Sequence, residues 1–330
     1  MQQVLSRLRE NIAAVLFGNT KGIDAVVCCL LARGHILIED VPGVGKTLLA
    51  TALARSIDCS FSRIQLTPDL LPSDISGVTI YDKNTSTFTF KPGPLFANII
   101  VADEINRTPP RTQSALLEAM SESTVSIDGK VIPLELPFMV VATQNPYEFE
   151  GTYPLPENQL DRFLMRINLG YPDPESEARV LELRPSAKPL QSLSPVLHKG
   201  DILDMQAAVD QIAIAKSLID YIVLLANASR KHPGLIHGLS PRGTLALSQA
   251  ARARAYMSGR TYVIPDDIVS LWLPVCAHRV IAKRNRVAPQ VEQVTTQPKN
   301  SSTNTTASTL YTDEASRILA SILASIPTPL

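Results

Sequence analysis

The segment Ile36 to Thr47, reading ILIEDVPGVGKT, most constrains what this chain can fold into. The apolar run Ile36-Leu37-Ile38 enters a Pro/Gly turn, and Gly45-Lys46-Thr47 opens a stretch to Ile57 with apolar residues at helical spacing. A strand that turns tightly into a helix aims backbone N–H groups and the positive end of the helix dipole at one point, where phosphate oxygens bind. Gly43, Val44 and Gly45 would close around the phosphates, with Leu48 in the first helical turn. Lys46 would reach the β- and γ-phosphates, and the Thr47 hydroxyl would ligate Mg²⁺. The usual pattern G-x-x-x-x-G-K-[ST] starts with glycine, whereas this chain has Asp40 there. The plain alternative is a glycine-containing turn beside a surface lysine, and the correct elements on both sides weigh against it.

Two further apolar runs end in polar groups. Ile99-Ile100-Val101-Ala102 is followed by Asp103 and Glu104, and Phe138 to Ala142 by Thr143-Gln144-Asn145-Pro146. In open α/β sheets, ligands bind beyond the carboxyl ends of the strands. There Asp103 would hold the Mg²⁺ shell, Glu104 would orient an attacking water, and Asn145 would lie beside the γ-phosphate. Each signal alone is weak: a solvated strand end, or a turn before Pro146. Three strands ending in Gly-Lys-Thr, Asp-Glu and Asn are much harder to assign to chance. Buried strands separated by helices predict a doubly wound, mostly parallel sheet.

Two hairpins interrupt that alternation. Val78 to Tyr81 and Thr87 to Phe90 flank one turn, and Ser123 to Ile127 and Val131 to Leu136 flank Asp128-Gly129, a pair suited to positive φ angles. After Leu169 the texture becomes helical, with Asp173 as a cap for a helix starting at Pro174 and Ser240 as a cap for one starting at Pro241. These shifts predict a nucleotide-binding core over 1–172, a helical domain over 173–286, a polar linker over 287–312 and a C-terminal helix over 313–330.

The motifs together resemble the AAA+ ATPases and, within them, the MoxR family. The resemblance spans roughly residues 1 to 285 and rests on Glu39 to Thr47, Asp103-Glu104-Ile105-Asn106-Arg107 and Thr112 to Met120. Ala142 to Pro146, Leu160-Asp161-Arg162-Phe163 and Ser240-Pro241-Arg242 complete it. It implies an AAA+ αβα P-loop domain with a parallel sheet followed by an all-α lid, with ATP and Mg²⁺ bound between them. Lys46 and Thr47 then resemble the Walker A pair, Asp103 and Glu104 the Walker B pair, and Asn145 sensor 1. Arg162 resembles the arginine finger offered to a neighbouring subunit, and Arg242 resembles sensor 2. Phe17 and Gly18 lie where such proteins hold adenine through backbone contacts. A guanidinium fork suits the charge that develops in phosphoryl transfer. For Arg162 the competing reading is an ion pair with Asp161 or Glu157. Arg242 in the first turn of a helix opposes the dipole, which hints at function.

The implied activity is ATP hydrolysis in a homo-hexameric ring, coupled to chaperone-like remodelling, maturation or metal-cofactor activation of a partner carrying a von Willebrand factor A domain. The alternatives are a chelatase-like AAA+ subunit, and a nucleotide-gated binding module with little hydrolysis. Thirty-one basic residues balance thirty-one acidic ones, so no global charge draws the chain to nucleic acid or anionic membranes. The hairpins carry only Lys83, Lys91 and Lys130, which speaks against a nucleic-acid motor. The apolar stretch Ala25 to Ala32 is far short of the ~20 residues needed to span a bilayer. Cys28, Cys29, Cys59 and Cys276 form no metal-ligand spacing and read as reduced thiols of a cytoplasmic protein. His35, His232, His237 and the arginines 252, 254 and 260 read as structural or solvated groups.

Overall fold

The computed structural model describes residues 2–84, 86–146, 151–183, 190, 193–283 and 314–329. The predicted linker over 287–312 lies outside the described residues. The core is a five-stranded sheet of β1 (Ile36–Glu39), β2 (Phe61–Gln65), β3 (Ile99–Asp103), β4 (Met139–Gln144) and β5 (Met165–Ile167). Their order is β5-β1-β4-β3-β2, with every pair parallel. The three middle strands are apolar up to their polar carboxyl ends because helices cover both faces of the sheet.

Alternate residues along each strand serve two cores. Leu37, Ile100, Ala102, Val140 and Ala142 pack with Leu116 and Leu117 of the helix Pro110–Glu122. Ile36, Ile38, Ile99, Val101, Met139 and Val141 face the other way, in a core that runs from Leu49 and Leu53 through Val26 to Trp272 in the helical domain. One face of the sheet thus shares its packing with the lid.

Sequence periodicity misses the two edge strands for a physical reason. In β2 only Ile64 is buried, between Arg63 and Gln65, because an edge strand has one side in solvent. The other edge strand, β5, is three residues long, too short to show a period.

His35, just before β1, is a structural residue as expected. Its Nδ1 accepts from Val140 N at 3.0 Å, which leaves Nε2 protonated and facing Met120 O at 2.8 Å. Burial pushes its pKa down to about 4, so the ring stays neutral and ties β1 to β4 and to the end of the helix Pro110–Glu122.

Both hairpins are present. Gly77–Asp82 pairs with Thr87–Pro92, and Thr124–Ile127 with Lys130–Pro133. Asp128 and Gly129 adopt φ of 50° and 74°, the left-handed pair that a two-residue turn requires. Thr79 Oγ1 donates to Asp128 Oδ2 at 2.6 Å, joining one hairpin to the other.

The lid contains the helices Pro174–Leu183, Lys199–Asp210, Lys216–Lys231, Pro241–Met257 and Pro265–Cys276. Short strands accompany them: Leu235–His237 pairs with Ile281–Ala282, and Leu197–His198 pairs with Ile57–Asp58 of the core. The helix Glu314–Ser325 docks on the lid, where the buried Trp272 donates its Nε1–H to Leu319 O at 3.0 Å. Among the described residues, no helix is long and apolar enough to cross a membrane.

Candidate nucleotide-binding site

The strand register brings the functional groups to one edge. Glu39 at the end of β1 is level with Gln144 at the end of β4, and Gln65 at the end of β2 is level with Asp103 at the end of β3. The loop after β1, with Asp40 to Gly45, therefore stands beside Asp103, Glu104 and Asn145.

Within that loop, Gly43 and Gly45 have φ of 89° and 94°, values an L side chain strongly resists. A Cβ on Gly43 would meet nothing within 4 Å, so the loop is open where phosphate oxygens would sit. Gly45 caps the helix Lys46–Arg55 in the left-handed conformation, leaving the first amides of that helix without side-chain capping. The Lys46 ammonium bonds Asp40 O and Gln144 O, the latter at 3.0 Å. Burial lowers its pKa, and the carboxylates of Asp40, Glu104, Asp103 and Glu39 act in the opposite direction.

The departure at Asp40 has a structural account. Its buried carboxylate accepts from Val41 N at 2.8 Å through Oδ1 and from Gly170 N at 2.7 Å through Oδ2. A glycine there would leave the loop free of the chain leaving β5; the aspartate fastens it.

Asp103 is the hub of the site. Its Oδ1 accepts from Thr47 Oγ1 at 3.0 Å and Thr143 Oγ1 at 3.2 Å, and Oδ2 accepts from Arg63 Nε at 2.7 Å. Glu104 follows at φ 59° and ψ 54°, unusual for a residue with a side chain. Its amide donates to Thr143 Oγ1 at 3.1 Å, and its carboxylate is held by Gln65 Nε2 at 3.1 Å and Arg107 Nε at 3.2 Å. Asn145 stands one residue beyond β4, its carbonyl accepting from Asn106 Nδ2 at 3.3 Å. Sequence reasoning overlooked Arg63, Gln65, Thr143 and Gly170. Thr143 alone carried a signal, being two residues before Asn145 in the same polar strand end.

These groups fit a magnesium-bound nucleoside triphosphate. The open glycine loop and Lys46 would take the phosphates, and Thr47 and Asp103, already in contact, would share the metal. Phe17 and Gly18 lie at the entrance to the lid. The Arg179 guanidinium sits 5.3 Å from the Phe17 ring centre. Gly18, at φ 74°, is crowded by Ser176 and Asp173, so that a Cβ would come within 2.5 Å of Ser176 Oγ. Asp173 caps its helix as predicted, accepting from Ser176 N at 2.9 Å.

Arg162 and Arg242 are not brought to this edge. Leu164 N donates to His35 O at 2.8 Å and Met165 is level with Ile36, so Arg162 lies at the amino ends of the strands. That is a strand length, about 13 Å, from the phosphate loop. Its guanidinium donates to Leu117 O and Ser121 Oγ, and neither Asp161 nor Glu157 is its ion-pair partner. Arg242, in the first turn of a helix capped by Ser240 Oγ on Gly243 N at 3.1 Å, has its Nε 3.7 Å from Asp161 Oδ2. A cavity of about 1090 Å³ opens between β5 and the helix Pro265–Cys276 and reaches Glu39 and Pro146 at the carboxyl edge of the sheet. Among the described residues, no cluster of His, Cys, Asp and Glu is arranged to hold a metal by itself.

The P-loop edge on a β5-β1-β4-β3-β2 sheet with a helical lid defines the AAA+ class. A family model for the ATPase family associated with various cellular activities matches residues 35–165, and an AAA lid-domain model matches residues 227–300. The chain is 49% identical over 281 residues to an uncharacterised protein, YeaC, of Bacillus subtilis, covering 85% of this chain and 88% of YeaC. It is 42% identical to the chaperone MoxR1 of Mycobacterium tuberculosis over 87% of this chain and 78% of that protein. A crystal structure from Cytophaga hutchinsonii, provisionally described as an ATPase, superimposes with a TM-score of 0.83 at 35% identity, covering 100% of this chain and 96% of its own. The chain belongs to the MoxR family of AAA+ ATPases.

Proposed function

We propose that the chain hydrolyses ATP with Mg²⁺ as a ring, each subunit's phosphate loop being completed by arginines of its neighbour. The observation that carries this reading is the separation of Arg162 from its own phosphate loop by the full length of β1. A guanidinium at the amino ends of the strands cannot reach a γ-phosphate at their carboxyl ends. In a head-to-tail ring the same group faces the next subunit's site. Arg242 shares that location through Asp161 and serves the same neighbouring nucleotide.

Within one subunit, Gly43, Val44, Gly45 and Leu48 line the phosphate loop, and Lys46 neutralises the β- and γ-phosphates. Thr47 and Asp103 hold the metal, which would offset charge on the phosphate oxygens. Glu104, fixed by Gln65 and Arg107, orients the attacking water, and Asn145 aligns it with the γ-phosphate. Phe17 and Gly18 hold the base beside the lid helix that begins at Pro174. Because the sheet and lid share a core, movement on hydrolysis passes directly into the lid.

The family supports a chaperone-like role in remodelling or activating another protein. A hexamer, a cytoplasmic location and a partner with a von Willebrand factor A domain follow from the resemblance. The chelatase-like and non-hydrolysing alternatives gain nothing from the site. The test is ATPase rate per subunit against protein concentration, with and without Mg²⁺. A rate that climbs as subunits assemble, and is abolished by Arg162→Ala, supports the ring. A concentration-independent rate in a proven monomer that also survives Arg162→Ala refutes it.

A further inference from the structure

The residues on either side of Arg162 are both held by one arginine of the lid. Arg279 Nη1 donates to Asp161 Oδ1, and Nη2 donates to Phe163 O at 2.7 Å. Arg279 ends the 3-10 turn Ala277–Arg279, and its Nε donates to Val275 O of the preceding helix Pro265–Cys276 at 2.8 Å. Its side chain is only 3% exposed, and burial disfavours its charge while Asp161 favours it. The second oxygen of Asp161 faces Arg242 at 3.7 Å. One carboxylate thus links a buried lid arginine to an exposed one, while Arg279 brackets Arg162 in the core.

We infer that Asp161 and Arg279 are positioning residues that hold Arg162 and Arg242 as a single unit, presented together to the neighbouring subunit's nucleotide. Arg279, with a rigid planar fork, suits this task because its donors reach three acceptors in fixed directions. Arg162 is oriented by the chain on both sides of it, Arg242 by the outer oxygen of Asp161. The Arg162 guanidinium itself rests on Leu117 O and Ser121 Oγ of the core, so the lid acts on it through Asp161 and Phe163. The inference rests on the trans reading of Arg162 proposed above.

The test mixes variant subunits. Asp161→Asn is expected to lower the ATPase rate at least about tenfold, since misplacing a group by ~1 Å costs up to ~100-fold. Its affinity for a fluorescent ATP analogue should be unchanged, because its own phosphate loop is intact. Arg279→Lys should give the same split, and Asp161→Glu should recover part of the rate. Lys46→Ala subunits, inactive alone, retain intact arginines. An equal mixture with Asp161→Asn should recover about a quarter of the wild-type rate, the share of heterologous interfaces that pair a sound loop with a sound arginine unit. Arg162→Ala, mixed in the same way, is the control.

A full rate for Asp161→Asn alone, with Arg162→Ala inactive, would overturn the inference. So would loss of activity that mixing fails to restore while Arg162→Ala is restored, since the carboxylate would then serve only its own chain. If Arg162→Ala itself is not restored, the trans reading fails instead.

Discussion

Thr47 Oγ1 and Asp103 Oδ1 lie 3.0 Å apart, although 56 residues separate them in the chain. The contact joins the helix after β1 to the end of β3 and sets a hydroxyl and a carboxylate where one divalent cation can bind both. Asp103→Asn removes the charge and keeps the shape. It is expected to reduce the Mg²⁺-dependent ATPase rate on the order of a hundredfold. Titrating Mg²⁺ against rate checks this; an unchanged midpoint and rate would remove Asp103 from the metal site.

Asp40 acts as a fastener between the phosphate loop and Gly170. Asp40→Gly would restore the commoner sequence pattern, yet it should destabilise this protein. Losing two hydrogen bonds to a buried carboxylate costs on the order of 2 kcal/mol. Urea unfolding of the wild type and the variant gives the difference directly. A variant of equal or greater stability would show that the bonds to Val41 and Gly170 contribute nothing net.

His35 makes stability depend on pH. Its pKa falls from the ordinary 6.5 to about 4 on folding, so between those values the unfolded chain binds the extra proton. The contribution is complete above pH 6.5 and is lost as the pH drops toward 4, about 3 kcal/mol in all. Unfolding free energies measured across that window should slope less steeply in His35→Gln than in the wild type. Parallel slopes would place the acid sensitivity elsewhere.

The chain has one tryptophan, and it reports on the C-terminal helix. Trp272 is fully buried and donates to Leu319 O, and Leu319 is itself buried against the lid. Leu319→Ala should cost roughly 2–4 kcal/mol through the cavity it leaves. Removing residues 314–330 should shift the Trp272 emission to longer wavelength as water reaches the ring. Unchanged emission after truncation would mean that the helix does not cover Trp272 in solution.

Much of the fold was legible because its central strands are buried on both faces and therefore read as unbroken apolar runs. Ile36 to Ile38, Ile99 to Ala102 and Phe138 to Ala142 announced β1, β3 and β4. The edge strands β2 and β5 were hidden, one by its solvent-facing polar residues and the other by its brevity. The phosphate loop was legible for a related reason. Gly43, Gly45, Lys46 and Thr47 are neighbours in sequence, and local backbone geometry alone directs them at one point.

Contacts between distant positions were decided by strand order and by the seat of the lid. Gly170 is 130 residues from the Asp40 it binds, and Arg279 is 118 from Asp161. Nothing in the local pattern around Asp40, Asp161 or Thr143 specifies those partners. The sequence by itself determined the strand, the loop and the groups that could meet a nucleotide, since each depends on residues within one turn or one strand. That Arg162 stands away from its own loop was implied by the family resemblance, and the tertiary structure supplies the physical reason. Parallel strands put every carboxyl end on one edge and every amino end on the other, and Arg162 enters β5 at the amino end.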